Sequence, residues 1–305
     1  MTKETKKDLG VLIDPLTDFG FKLFFGQEST KDALISFLNS LLVDENREIF
    51  DITLKNREVE GEKPKQRVVR FDIFCEEKNG RKFIVEMQNV PKVNFVERAL
   101  YYVCRGIDMQ GRRKKNFDYE YAPVYGVFFV NFPLPQKAPK AVRRTYIVEE
   151  GEKAPFTDKL KMFFIELPSF TLTESQCETK LDKWIYNIKN MVTLDSLRFK
   201  QDLPVLQKLE EIMKVAALDP ERQDEYEISF KAYHDIIAEN EPEKLAEEWK
   251  KVGIEIGREV GLKEGRQEGE HKNKLTTALK MKADGMPADL IQKYTGLSPE
   301  TIEGL

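Results

Sequence analysis

The sequence predicts a mixed α/β core with a helical flank, and three observations carry that expectation. Residues 70–89, RFDIFCEEKNGRKFIVEMQN, place two runs of apolar and aromatic side chains around Lys78-Asn79-Gly80, the composition of a β-hairpin. Residues 124–132, VYGVFFVNF, form an almost unbroken apolar run, as expected of a strand covered on both faces. Around these, apolar residues recur at helical rather than alternating spacing. Strands interspersed with helices in one chain predict a sheet packed against helices.

Residues 29–43, STKDALISFLNSLLV, carry Leu34, Phe37, Leu38 and Leu41 on one helical face behind a Ser/Thr start. The hairpin follows after a polar connection. Residues 92–110, KVNFVERALYYVCRGIDMQ, read as a second helix with Val96, Leu100, Val103 and Ile107 as its apolar stripe. RTYIVEE (144–150) and KMFFIELP (161–168) read as further strands. From Thr173 to about Asn240 the pattern is helical, with Leu181, Trp184, Ile185 and Ile188 on one side.

Composition changes after Glu241. Gly253, Gly257, Gly261, Gly265 and Gly269 recur at every fourth position among charged residues. Each glycine costs a helix about 1 kcal/mol relative to alanine. The segment 241–272 is therefore either a helix whose smooth stripe admits a second helix closely, including one from another copy, or a charged linker. The charges exclude a membrane GxxxG pairing, and the spacing fits no phosphate-binding loop. Residues 273–305 read as a separate tail of short helices. Gly285, Pro287 and Ser298-Pro299-Glu300 mark the helix ends, in a helix-turn-helix-like order with few basic residues on the second helix. The expected organisation is thus 1–240, 241–272 and 273–305.

The bulk properties narrow the function classes. A formal net charge of −4 excludes a polycation that coats nucleic acid. Basic character is local, at Arg105 with Arg112, Arg113, Lys114 and Lys115, and at Lys137, Lys140, Arg143 and Arg144. No apolar run is long enough for a membrane span, and the polar N-terminus has no secretory signal pattern. Three widely spaced cysteines and two histidines argue against a disulfide framework or a zinc site and for a cytoplasmic location. His234 and His271 have no nucleophile beside them in the pattern.

Aspartate is disfavoured in strands, so Asp72 needs a reason. With a two-residue Asn79-Gly80 turn, Asp72 faces Met87 and Glu86 points the other way. With a three-residue loop ending in a left-handed glycine, Asp72 lies across from Glu86. The second register gathers Val69, Phe71, Ile73, Cys75, Phe83, Val85 and Met87 on one core face. The other face then holds Asp72, Phe74, Lys82, Ile84, Glu86 and Gln88. A one-residue slip flips every side chain, so the apolar pattern selects the three-residue loop. Opposed carboxylates repel unless a cation lies between them, and Mg²⁺ favours carboxylate oxygens. The alternative is that these are polar residues on a wet face.

Asp72 followed by Glu86-x-Gln88 across a hairpin resembles the PD-(D/E)xK nuclease core. TDFGFKLFFG (17–26), SFLNSLL (36–42), VEMQN (85–89), ERALYYVCRGI (97–107) and YTGLS (294–298) together resemble its transposase branch, also called the Rpn recombination-promoting nucleases. The resemblance implies a restriction-endonuclease-like sheet core flanked by helices, followed by the glycine-repeat helix and the small helical tail. It also implies hydrolysis of DNA phosphodiesters with Mg²⁺, for which Mn²⁺ can substitute. On that resemblance Asp72, Glu86 and Gln88 are the expected catalytic residues. Asp72 and Glu86 are the expected metal ligands, with Asp18 as an accessory acid four residues before Lys22 on a short helix. Gln88 stands where the nuclease motif carries lysine, and a neutral amide orients water but brings no positive charge.

Asn94, Arg98, Tyr101 and Arg105 lie opposite the proposed apolar stripe of the 92–110 helix, with Tyr102 beside them. Lys22, Arg98, Tyr101, Tyr102 and Arg105 are the expected DNA contacts, through phosphate pairing and base stacking. The expected activity is a metal-dependent DNA endonuclease whose 241–305 region supports self-association or target engagement. The alternative is a catalytically silent DNA- or protein-binding module that keeps the fold.

Overall fold

The computed structural model describes residues 11–43, 48–55, 58–59, 69–92, 94–112, 118–134, 138–240, 269 and 272–304. The chain divides into two compact units, Met1–Glu239 and Asn240–Leu305. Among the described residues of the first unit, helices α1 (Asp18–Phe25) and α2 (Lys31–Leu41) precede strands β1 (Ile52–Leu54), β2 (Glu58–Val59), β3 (Val69–Arg70), β4 (Ile73–Glu77) and β5 (Lys82–Gln88). Then come α3 (Phe95–Arg112), β6 (Val124–Val130), β7 (Val142–Tyr146) and β8 (Leu160–Glu166). Helices α4 (Lys180–Asn190), α5 (Val205–Met213) and α6 (Pro220–Glu239) complete it.

Six strands form one mixed sheet in the order β1-β4-β5-β6-β8-β7, and β2 pairs with β3 in a separate ribbon. Neighbours β1, β4 and β5 run antiparallel, β5-β6 and β6-β8 run parallel, and β7 returns antiparallel to β8. A parallel neighbour needs a long crossover, and α3 supplies it between β5 and β6.

The sheet is buried on both faces. On one, Ile73, Cys75, Phe83, Val85, Tyr125, Val127, Phe129 and Phe163 pack under α1, α2, α4 and α5. Phe129 meets Phe21 at 5.7 Å and Phe37 at 5.2 Å between ring centroids, and Trp184 stands edge-on to Phe24 at 6.1 Å. On the other, Phe74, Ile84, Val124, Phe128 and Phe164 pack with Phe95, Ala99 and Val103 of α3. All seven residues of β6 are buried, as its unbroken apolar run predicts.

Several expectations need correction. The buried stripe of α3 is Phe95, Ala99, Val103 and Gly106, whereas Val96 and Leu100 are about two-fifths exposed. Periodicity weighted by size selects the large side chains, but close approach to a sheet favours small ones at the contact. The helix also starts three residues later than expected, because Asn94 adopts a left-handed φ of 66° after Pro91. Strand β7 spans 142–146 rather than 144–150. Beyond Tyr146 only the bridge Val148–Pro155 continues, and the chain turns at Gly151. Thr30, expected in the Ser/Thr start of α2, does not cap it; its hydroxyl donates to the Leu23 carbonyl at 2.9 Å.

In the second unit, residues 272–283 are helical and are followed by helices Ala288–Thr295 and Pro299–Glu303. Ala278, Ile291, Leu297 and Ile302 form their small core, and the Ser298 hydroxyl caps the last helix at Thr301. The glycine-repeat stretch from 253 to 265 lies outside the described residues, as do Arg113, Lys114, Lys115, Lys137 and His271. Among the described residues no helix is long and apolar enough to cross a membrane.

The three thiols differ sharply. Cys75 is fully buried between sheet and helices, and burial pushes its thiol up to about 12, while Cys177 is also buried and Cys104 is exposed. Only a thiolate attacks a disulfide reagent. Under native conditions Cys104 is therefore expected to react first with an aromatic disulfide, with Cys75 silent until the chain unfolds. Mass spectrometry of singly labelled protein checks this, and early modification of Cys75 would contradict the packing.

Candidate functional site

The hairpin forms with the register that the apolar pattern selects. Ile73 pairs with Val85, Phe74 with Ile84, Cys75 with Phe83 and Glu76 with Lys82. The Glu77 amide donates to the Arg81 carbonyl and the Gly80 amide to the Glu77 carbonyl, both at 2.8 Å. Lys78, Asn79 and Gly80 are thus the three loop residues. Gly80 has φ of 91°, a conformation that side-chain-bearing residues rarely adopt. A buried ion pair braces the loop base, Arg81 Nε to Glu77 Oε2 at 2.8 Å. That pair is not evident from the sequence, where it reads as surface charge.

Extending the register by one step brings Asp72 across from Glu86. Strand pairing ends at Ile73, and Asp72 sits at a bend between β3 and β4. At this opening the carboxylates replace the ladder. The Asp72 amide donates to Glu86 Oε1 at 3.1 Å, and the Met87 amide donates to Asp72 Oδ2 at 2.9 Å. Each acid is fixed by the other strand's backbone. The bend also corrects the expected faces. Val69 and Phe71 join Phe74 and Ile84 on the α3 side, and Met87 stays on the opposite side.

The wet-face alternative does not hold, because α3 covers this side and Glu86 is only 2% exposed. Burial raises its carboxyl well above the ordinary 4.5, and the charge of Asp72 adds to the shift. Burial likewise raises Asp72 above its ordinary 3.8, with Asp18 adding and the Met87 hydrogen bond opposing. Lys22 and Arg98 act on both acids in the stabilising direction. Gln88 turns its amide to Glu86 Oε2 at 3.5 Å.

Two helices bring the remaining groups. On α1, capped by Thr17 at the Gly20 amide, Lys22 Nζ lies 2.7 Å from both Asp18 carboxylate oxygens. On α3, Arg98 donates to the Tyr102 hydroxyl from Nε at 3.1 Å and from Nη2 at 2.8 Å. The ring of Tyr102 stands edge-on to Phe71 at 5.5 Å. Arg105 instead pairs with Asp108 at 2.7 Å, and Tyr101 is about half exposed. Of the second basic cluster, Arg143 pairs with buried Glu166 and Arg144 donates to the Leu41 carbonyl, so both serve the fold.

A buried clasp behind α1 was missed by sequence reasoning. The Asp14 amide donates to the Tyr226 hydroxyl at 2.9 Å, and the Phe19 amide donates to the Ser229 hydroxyl at 3.0 Å. Asp14 Oδ1 accepts from the Leu16 amide, and Asn89, just past Gln88, donates to the Leu16 carbonyl at 2.7 Å. An acid inside VLIDPL, an otherwise apolar segment, is the available signal. A groove of about 750 Å³ runs beside this clasp, lined by Asp18, Lys22 and Gln27 of the α1 side and Arg222, Glu225 and Ile228 of α6.

The donor set suits a hard cation. It offers two facing carboxylates, both fixed and both destabilised by burial, so a divalent ion between them would relieve the repulsion. No cluster of three or more His, Cys, Asp or Glu side chains poised to hold a metal occurs among the described residues. Any ion here would rely on the pair with water or backbone oxygens, as Mg²⁺ commonly does.

Searches of curated proteins and of solved structures return no match. The sequence does match the model of the PD-(D/E)XK nuclease family transposase over residues 15–241, the span that holds the sheet, the hairpin and both flanking helices. Together with the mixed sheet and its helical layers, this match establishes that the chain belongs to the PD-(D/E)XK nuclease family transposases.

Proposed function

We propose that this protein is a divalent-metal-dependent DNA endonuclease with Asp72 and Glu86 as its metal-holding pair. The observation that carries the reading is the cross-tied pair of facing carboxylates at the end of the hairpin, with Glu86 buried and Asp72 half-buried. A buried like-charge pair costs stability unless a bound cation offsets it, so its presence points to a role. When bound, Mg²⁺ polarises a phosphoryl oxygen and makes a bound water a stronger nucleophile.

The chain's own residues supply the rest. The Met87 and Asp72 amides hold the carboxylates in place, which removes the cost of ordering them at the moment of reaction. The Gln88 amide can orient a water beside Glu86. Lys22 and Arg98 lie where their charge reaches the pair, and either can bind a phosphate oxygen. The groove that shares Asp18 and Lys22 offers room for the strand leading from the scissile bond.

A supercoiled plasmid incubated with Mg²⁺, Mn²⁺ or EDTA tests the reading. Nicking with either cation and none in EDTA is the expected result. Intact plasmid under every condition, with DNA still bound, would instead identify a catalytically silent binding module that retains the fold.

A further inference from the structure

Catalysis at a phosphodiester adds negative charge beside two carboxylates, so a net positive charge should stand close by. Gln88 cannot provide it, since its amide is neutral and turned to Glu86. Among the described residues, Lys22 and Arg98 are cations whose charge reaches both Asp72 and Glu86, and Arg98 is placed there by Tyr102, whose ring meets Phe71, next to Asp72. They differ in one respect. Lys22 is matched by Asp18 at 2.7 Å, so α1 brings almost no net charge to the site. Arg98 forms no ion pair within 4 Å among the described residues, and its partner is the uncharged phenol of Tyr102.

Resting on the nuclease reading, we infer that Arg98 is the catalytic cation of this site and that Tyr102 is its positioning residue. Tyr102 holds the guanidinium by two N–H groups, leaving other N–H groups for a phosphate oxygen. Its own orientation is fixed from two sides. The Arg98 Cζ lies 5.1 Å from its ring centroid, and the edge-on contact with Phe71 ties it to the residue preceding Asp72. The arrangement brings to Asp72 and Glu86, from the crossover helix, a charge that Gln88 on β5 lacks.

The test uses the full chain, a labelled DNA duplex and five variants: Arg98→Gln, Arg98→Lys, Tyr102→Phe, Arg98→Gln with Gln88→Lys, and Asp72→Ala as the inactive control. Circular dichroism checks that each folds. Single-turnover cleavage in Mg²⁺ is expected to fall about 100-fold in Arg98→Gln. It should fall less in Arg98→Lys, and about 10-fold in Tyr102→Phe, which keeps the charge but frees it. Adding Gln88→Lys should recover at least about 10-fold of the Arg98→Gln loss.

Binding in EDTA, read by fluorescence anisotropy across salt, gives a readout independent of cleavage. The slope of log Kd against log salt should drop by about one in Arg98→Gln and stay unchanged in Tyr102→Phe. An unchanged slope in Arg98→Gln, or cleavage within threefold of the parent while Asp72→Ala is inactive, would overturn the role of Arg98 and leave the nuclease reading standing. A parent chain that cuts under no cation would overturn both.

Discussion

Glu86→Gln is expected to cut DNA at least about 10³-fold more slowly than the parent, yet to be more stable at alkaline pH in the absence of metal. The first effect follows from the proposal that Glu86 holds the metal, since a lost interaction of several kcal/mol translates into a factor of ten per 1.4 kcal/mol. The second follows from burial. The folded state raises the Glu86 carboxyl above its ordinary 4.5, so between that value and the folded one the native chain binds a proton that the unfolded chain has lost. Stability then falls as pH rises through this window and levels off above it. Glutamine keeps an oxygen to accept the Asp72 amide and carries no charge, so the variant should match the parent near pH 4 and melt higher at pH 8. Mg²⁺ should raise the melting temperature of the parent and not of the variant. Differential scanning fluorimetry across pH, with and without Mg²⁺, measures all three. A variant whose melting profile tracks the parent at every pH would show that Glu86 bears no buried charge, and undiminished nicking would end its assignment as a ligand.

Gly20→Ala is expected to destabilise the first unit by about 3 kcal/mol and to cut activity as well. A Cβ at this position would lie 1.9 Å from the Asp14 carbonyl oxygen and 2.8 Å from Thr17 Oγ1. Neither neighbour is free to withdraw. The Thr17 hydroxyl donates to that same carbonyl at 2.7 Å and accepts from the Gly20 amide at 3.0 Å, and the Asp14 amide is held by Tyr226. Overpacking of this kind commonly costs about 1–3 kcal/mol, and a backbone collision lies at the upper end. For a unit of this size that corresponds to roughly 10 °C in melting temperature. Because α1 carries Asp18 and Lys22, relief of the collision must displace both. Thermal melts followed by single-turnover assays at a temperature where the variant is folded separate the two effects. A melting point within about 2 °C of the parent would contradict the close contact of Gly20 with Asp14.

The elements of the site differ in how legible they are. The hairpin register follows from the sequence because one face of β4 and β5 alternates cleanly and Gly80 can close a three-residue loop. Local chemistry decides it. The misassigned faces of Val69 and Phe71 have a local cause of another kind. A bend at Asp72 breaks the two-residue period, and nothing in an apolar run announces where a strand will bend. The buried stripe of α3 is illegible for a third reason. Which side of a helix faces a sheet depends on how near the backbones come, and Ala99 and Gly106 are the least visible residues to a hydrophobic count. Arg98 and Tyr102 are recoverable from i, i+4 spacing, but their separation from Tyr101 and Arg105 needs the structure. The clasp of Asp14 by Tyr226 links positions 212 apart, beyond any periodic signal.

That last separation bears on when the protein becomes complete. The helix carrying Asp18 and Lys22 meets the Ser229 hydroxyl at its Phe19 amide, the segment leading into it meets that of Tyr226 at Asp14, and a backbone bond from Ile13 reaches residue 213. A ribosome emits these groups some two hundred codons apart, so a nascent chain has its carboxylate hairpin long before the clasp behind α1 can close. Assembly of the full polar centre therefore waits for nearly the whole first unit to emerge.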